Sequence, residues 1–334
     1  MEVATTGVVF DDKGDLLKPY VPRLLIEWLR DTPETRFKAR DGTLAFVDIS
    51  GFTALTERLE SRGRIGAELL RDTLDDVFKA LLDEAYTWGA GLLKWGGDAL
   101  LLLFEGEAHP SRAARAAWEM QRTIERIGRI RVGGAAVTLR MSIGVATGTI
   151  DFFTAGSLHQ ELLVAGPVAT ETVVMEGIAD AGEIALSPKL AALIGPACVG
   201  PTKADAVLLA APPEAPVAHA PDIGGVHAAT LARCIPVAAR AHVLLEQSEP
   251  EHRIITAAFI ELGGTDGLLE QLGPNAFAEA LDDRMGGIEE VAERYGVPFN
   301  VTDISKGQSR CSSRPAPRRA QGTTRSRCCA WRTS

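Results

Sequence analysis

Residues 91–104, GLLKWGGDALLLLF, set two apolar β-like runs on either side of a Gly-Gly pair, and a tight hairpin is the arrangement that suits such a pattern. The turn delivers Asp98 to the start of the second run. There a carboxylate is either a turn residue or a metal ligand at a sheet edge, and the stretch alone leaves both readings open. A second constraint lies just upstream. Ile65, Leu69, Leu70, Leu74, Val77, Phe78, Leu81, Leu82 and Ala85 recur with a 3.6-residue period, which predicts an amphipathic helix over 64–86. Before it, TLAFVD (43–48) reads as a buried strand ending in an acid. SGFTALTERL follows, with a glycine turn and Thr53 as a candidate helix cap.

The rest of the first half completes a layered pattern. Residues 111–127 predict a helix, and 137–147 a strand that 150–154 extends as a hairpin. Shorter strands at 161–165 and 183–187 flank a helix at 168–180. The order β-α-β-β-α-β predicts an α+β, ferredoxin-like domain with a central antiparallel sheet and flanking helices, spanning 42–190. Ahead of it, residues 1–41 hold a turn and a short helix at 18–30, with Leu24, Leu25 and Leu29 on one docking face.

An Ala/Pro-rich stretch then predicts a linker over 191–251. Beyond it the chain repeats itself. FVDISGFTAL (46–55) aligns without gaps with FIELGGTDGL (259–268), and LDDVFKALLDEAYTWG (74–89) with LDDRMGGIEEVAERYG (281–296). Two blocks in the same order at nearly the same spacing predict a tandem duplication, whose second, partial copy spans 252–308. Losing a core strand, that copy is expected to expose apolar surface on its helix 274–296. Residues 309–334 carry seven Arg and no acid. This composition reads as an aberrant, disordered basic tail, an out-of-frame continuation of the repeat.

Charge narrows the function classes. The chain carries −9 overall and residues 1–308 carry −16, a balance that disfavours nucleic acid as a partner. No apolar run is long enough for a membrane span and no secretory leader is present, so a cytoplasmic location and no membrane partner are expected. Five Cys without paired spacing offer no disulfide scaffold, and scattered His offer no zinc site.

What remains is a pair of acids. Asp48 ends one central strand and Asp98 begins a neighbouring one, so the fold can bring both to one end of the sheet. Oxygen-only surroundings suit Mg²⁺ or Mn²⁺ with substrate phosphates. The backbone of Gly51, Phe52 and Thr53 can open a helix whose free N–H groups suit a phosphate.

FVDISGFTALTERL and LLKWGGDALLLLF together resemble the class III nucleotide cyclase catalytic domain, above all its soluble, tandem-domain adenylyl cyclases and their bacterial relatives. HQELLVAGPVATETVVMEGIADAGEIALS (159–187) is similar to a third block of that family. The resemblance implies conversion of ATP to 3′,5′-cyclic AMP and pyrophosphate, with two Mg²⁺ or Mn²⁺ ions and a second cyclase domain as partner. It implies Asp48 and Asp98 as metal-binding catalytic acids, with the Ile49 carbonyl as a further ligand. Gly51, Phe52 and Thr53 match the triphosphate turn, Arg140 a phosphate-contacting Arg, and Lys94 the Lys that reads adenine. As an alternative, Lys94 only flanks the hairpin with its amine in water.

Departures stand beside these matches. The places of the family's Asn and Arg, which finish the site from the partner domain, hold Thr170 and Val174 here. The adenine-contacting acid or Thr position holds Leu163, and in the second copy Glu261 and Ser305 stand near the two acids. They raise a second reading, a catalytically silent nucleotide-binding module. A third, a diguanylate cyclase, rests on the likeness of GGDAL to the GGDEF signature.

Overall fold

The computed structural model describes residues 14–60, 63–132, 135–218, 226–237, 239–240, 243, 260, 262–297, 299 and 302. Expectations for Glu261, Ser305 and the 309–334 tail fall outside the described residues.

The centre of the sheet is a pair of unusually long strands. β1 (Phe37–Ser50) runs antiparallel to β6 (Arg140–Ala155) from Phe37 opposite Phe153 to Ser50 opposite Arg140. On its other side β1 pairs with β3 (Ala99–Glu105), which returns from β2 (Ala90–Gly96) through the Gly97–Asp98 turn. β7 (Glu161–Ala165) pairs with the end of β6, and β8 (Ile184–Leu186) runs parallel to its middle. The resulting order is β2-β3-β1-β6-β8, extended by β10 (Ala206–Leu209) and β9 (Val199–Lys203), with β7 beside β6.

Two expectations need correction here. Residues 137–147 and 150–154 are not a hairpin. Arg140–Ala155 is one strand, because β1 offers backbone partners along its length and a break would strand those groups. A separate small hairpin, β4 (Arg129–Val132) and β5 (Ala135–Thr138), precedes it. The sheet itself also runs on past 190. β9 (Val199–Lys203) and β10 (Ala206–Leu209) continue the sheet, β10 pairing with β8 and burying Ala206 and Leu209. The stretch read as linker therefore begins with two strands that cover an otherwise open edge.

Alternation along the strands serves two cores. One face of β1 sends Ala45, Val47 and Ile49 against α4 (Gly63–Thr87) and α5 (His109–Ile127), with Phe78, Leu81, Ala117 and Met120 among the buried partners. The other face packs Leu44, Leu101, Leu103 and Phe152 against α2 (Arg23–Asp31), whose Leu24, Leu25, Trp28 and Leu29 are buried. The Trp28 indole N–H donates to the Thr35 carbonyl at 2.9 Å, fixing the helix where the chain enters β1. α6 (Pro167–Ile178) presses on β6 at Gly144, where an added Cβ would lie 2.1 Å from the Glu176 nitrogen and 2.4 Å from the Thr172 carbonyl oxygen.

Two C-terminal helices, α9 (Thr265–Leu272) and α10 (Pro274–Arg294), cover the β6–β7 edge. Phe277, Leu281, Met285 and Leu269 bury against Phe153, Ala155 and Leu163. Their outer side leaves Leu268, Leu272, Val291 and Tyr295 exposed. No helix among the described residues is long and apolar enough to cross a membrane.

Candidate functional site

Strand register brings the first constellation together. Asp48 lies opposite Ala99 on β3 and Ser142 on β6, and the Ile49 N–H donates to the Asp98 carbonyl at 3.1 Å. The two acids are thus cross-strand neighbours at one end of the sheet, each half-buried. One residue past Ile49, Ser50 faces Arg140, whose side chain is exposed at the same end.

Gly51 makes the turn out of β1. Its φ of +93° is open to glycine, and a Cβ there would lie 2.7 Å from the Thr138 carbonyl oxygen. α3 (Phe52–Glu60) begins at once, so the N–H groups of Phe52 and Thr53 sit in a first turn without intrahelical acceptors. An acid pair, a helix N-terminus and an exposed guanidinium thus share one sheet end. Two carboxylates and backbone oxygens form a hard donor set that fits Mg²⁺ or Mn²⁺ retaining further oxygen ligands from substrate. Among the described residues no three His, Cys, Asp or Glu cluster as a self-sufficient metal cage.

Lys94 belongs to a different constellation. It is 7% exposed, and its amine donates to the Glu161 carboxylate and, at 2.7 Å, to the Thr302 hydroxyl. The alternative of an amine in water is overturned: Glu161 of β7 and Thr302 close over it. Glu161, two residues before Leu163 on the same face of β7, is the acid beside Lys94. Leu163 lies in the apolar cluster with Phe153 and Phe277. Burial alone would raise the Glu161 carboxyl, but the Lys94 charge and the His159 ring outweigh it and hold the group down at about 2. His159 sits between carboxylates, with Nε2 3.4 Å from Glu161 and Nδ1 3.5 Å from Glu289. The signal for Glu161 was the strand alternation of ELLVA, which aims Glu161 and Leu163 the same way. Nothing local shows which of the two meets Lys94. Thr170 donates to the Asp266 carboxylate at 2.6 Å, and Val174 is partly exposed.

A model of the adenylate and guanylate cyclase catalytic domain matches residues 38–206, half of the chain. The chain belongs to the adenylate and guanylate cyclase family. The cyclase domain so defined starts with β1 and ends in β10, as the sheet does. Human adenylate cyclase type 10 is 31% identical over 152 residues, covering 44% of this chain and 9% of that protein. The mouse protein of the same name is 28% identical over 173 residues, covering 51% and 11%. The chain thus spans about a tenth of the length of these curated relatives. Among solved structures, the adenylyl cyclase CyaB from P. aeruginosa is 20% identical with a TM-score of 0.44, covering 52% of this chain and 94% of that one. The guanylyl cyclase Cya2 is 23% identical with a TM-score of 0.43, covering 52% and 92%.

Proposed function

We propose that the cyclase domain acts on ATP, forming 3′,5′-cyclic AMP and pyrophosphate by attack of the ribose 3′-hydroxyl on the α-phosphate. The observation that carries this reading is the cross-strand placement of Asp48 beside the Asp98 turn, with Arg140 and the α3 N-terminus at the same sheet end. Asp48 and Asp98, with the Ile49 carbonyl, would hold two Mg²⁺ or Mn²⁺ ions. Such ions make a hydroxyl more acidic and neutralise phosphate charge. Gly51, Phe52 and Thr53 bind the triphosphate through backbone N–H groups, and Arg140 adds a positive charge to the leaving pyrophosphate. Lys94 reads the base in the paired arrangement, and Glu161 beside it adds an acceptor to that edge. The identity between this domain and adenylate cyclase type 10 supports ATP over GTP. The domain boundaries proposed are an N-terminal docking segment, a cyclase domain running to β10, and a partial second copy containing α9 and α10.

The positions of Thr170 and Val174 favour a second reading, a nucleotide-binding module without turnover. Neither side chain supplies the positive charge that stabilises developing negative charge in the transition state. One experiment separates the two. The full chain is combined with a cyclase domain that provides the Asn and Arg, and cyclic nucleotide formation from ATP and GTP is measured with Mg²⁺ and Mn²⁺. Metal-dependent cyclic AMP supports the enzyme. Nucleotide binding with no product from either nucleotide overturns it in favour of the silent module.

A further inference from the structure

We propose that α9, α10 and the residues Phe299 and Thr302 form a releasable clasp that sequesters the Lys94 amine, an autoinhibitory contact built into this chain. Its regulatory meaning rests on Lys94 contacting nucleotide, as read above; the clasp itself does not.

Lysine is rarely buried without a charge partner, and one of the two groups that hold the Lys94 amine lies outside the cyclase domain. Its carboxylate partner is Glu161, but the lid is Thr302, 208 residues further along the chain. Thr302 completes the arrangement: its backbone N–H and hydroxyl donate to the same Glu161 oxygen at 3.0 and 2.7 Å. The hydroxyl therefore accepts from the amine and donates to the carboxylate, satisfying both members of a buried pair.

A second anchor holds the segment from the other side. Glu289 on α10 is fully buried, and its carboxylate accepts from the Ser157 and Leu158 N–H groups at 2.6 and 2.9 Å and from the Ser157 hydroxyl at 2.9 Å. Consecutive N–H groups of the β6–β7 loop thus form an anion cradle that a helix side chain fills. Gly156 N–H donates to Asp282 at 3.1 Å, and Thr170 to Asp266 at 2.6 Å.

These contacts are unlike the core of the domain. They rest on charges and short polar groups around one modest apolar cluster, at a strand that among the described residues pairs with β6 alone. Buried ion pairs return little net stability because both groups are desolvated, so such an edge opens more readily than the β1–β3–β6 centre. While it is shut, the amine has Glu161 and Thr302 as neighbours and no open side for a base.

The test reads the clasp in the full chain without nucleotide or metal. Pulsed amine acetylation is followed at each lysine by mass spectrometry, with exposed Lys79 as the reference, alongside amide hydrogen exchange. In the wild type Lys94 reacts at least about tenfold more slowly than Lys79, as a locally closed site should. Glu289→Ala raises the Lys94 rate about tenfold and speeds exchange over 265–297, with β1 and β3 still protected. Asp266→Ala provides a milder release in the same direction. Lys94 as reactive as Lys79 in the wild type overturns the clasp, as does a Lys94 rate unchanged in both variants. Loss of protection in β1 and β3 in both variants also overturns it, because the segment would then be part of the core. If release exposes Lys94 yet Lys94→Met leaves nucleotide binding unaltered, the nucleotide reading falls and the clasp stands.

Discussion

Lys94 on β2 and Glu161 on β7 form a buried ion pair between strands that are not neighbours in the sheet. The pair joins the hairpin strand to β7, which lies beside β6, through side chains alone. Its energetics are therefore set by mutual compensation rather than by exposure.

Removing one member should cost more than removing both. Lys94→Ala leaves the Glu161 carboxylate buried beside Thr302 and should destabilise the fold by about 3–5 kcal/mol. Combining Lys94→Met with Glu161→Leu should recover most of that loss. Urea denaturation of the two variants against the wild type checks the order.

The same pair sets an acid limb of stability. Burial pushes the Glu161 carboxyl up, but the Lys94 charge wins and holds it at about 2, below the ordinary 4.5. A depressed folded-state value means the unfolded chain takes the proton first. The contribution is complete above the unfolded value and is lost as pH falls from 4.5 through about 2. Stability measured across that window should fall less steeply in Glu161→Gln than in the wild type.

Asp48→Asn and Asp98→Asn should separate binding from folding. Both side chains are half-buried at the sheet end and Asn is nearly isosteric, so either change should alter stability by no more than about 1 kcal/mol. Each should abolish metal-dependent ATP binding, measured by calorimetry with and without Mn²⁺, because one carboxylate of the cation site is gone.

Gly144→Ala tests how closely α6 rests on the sheet. The new Cβ would meet the backbone of Glu176 and Thr172 at 2.1 and 2.4 Å, so the helix must move. Destabilisation of about 1–3 kcal/mol is expected, read as a fall in the thermal midpoint.

Much of the domain was legible locally. The 64–86 period and the Gly-Gly turn correspond to α4 and the β2–β3 hairpin, because helix and hairpin signals act over a few residues. Local patterns place a break near 148 within β6 and a linker over β9 and β10, because the pairing partners of these strands lie far away in sequence. The acid pair was visible as two residues on neighbouring strands. Glu161 was missed, because family position pointed to Leu163 and only packing tells the two apart.

The order of elements, the placement of Asp48 and Asp98 at the ends of apolar runs, and the likeness to a cyclase domain can be read from the linear chain. These follow from short-range periodicity and turn chemistry. The surroundings of Lys94 depend instead on long-range packing. Its partners at Glu161 and Thr302 come from 67 and 208 residues away, and no local pattern encodes which charges meet once distant strands and helices close over one face.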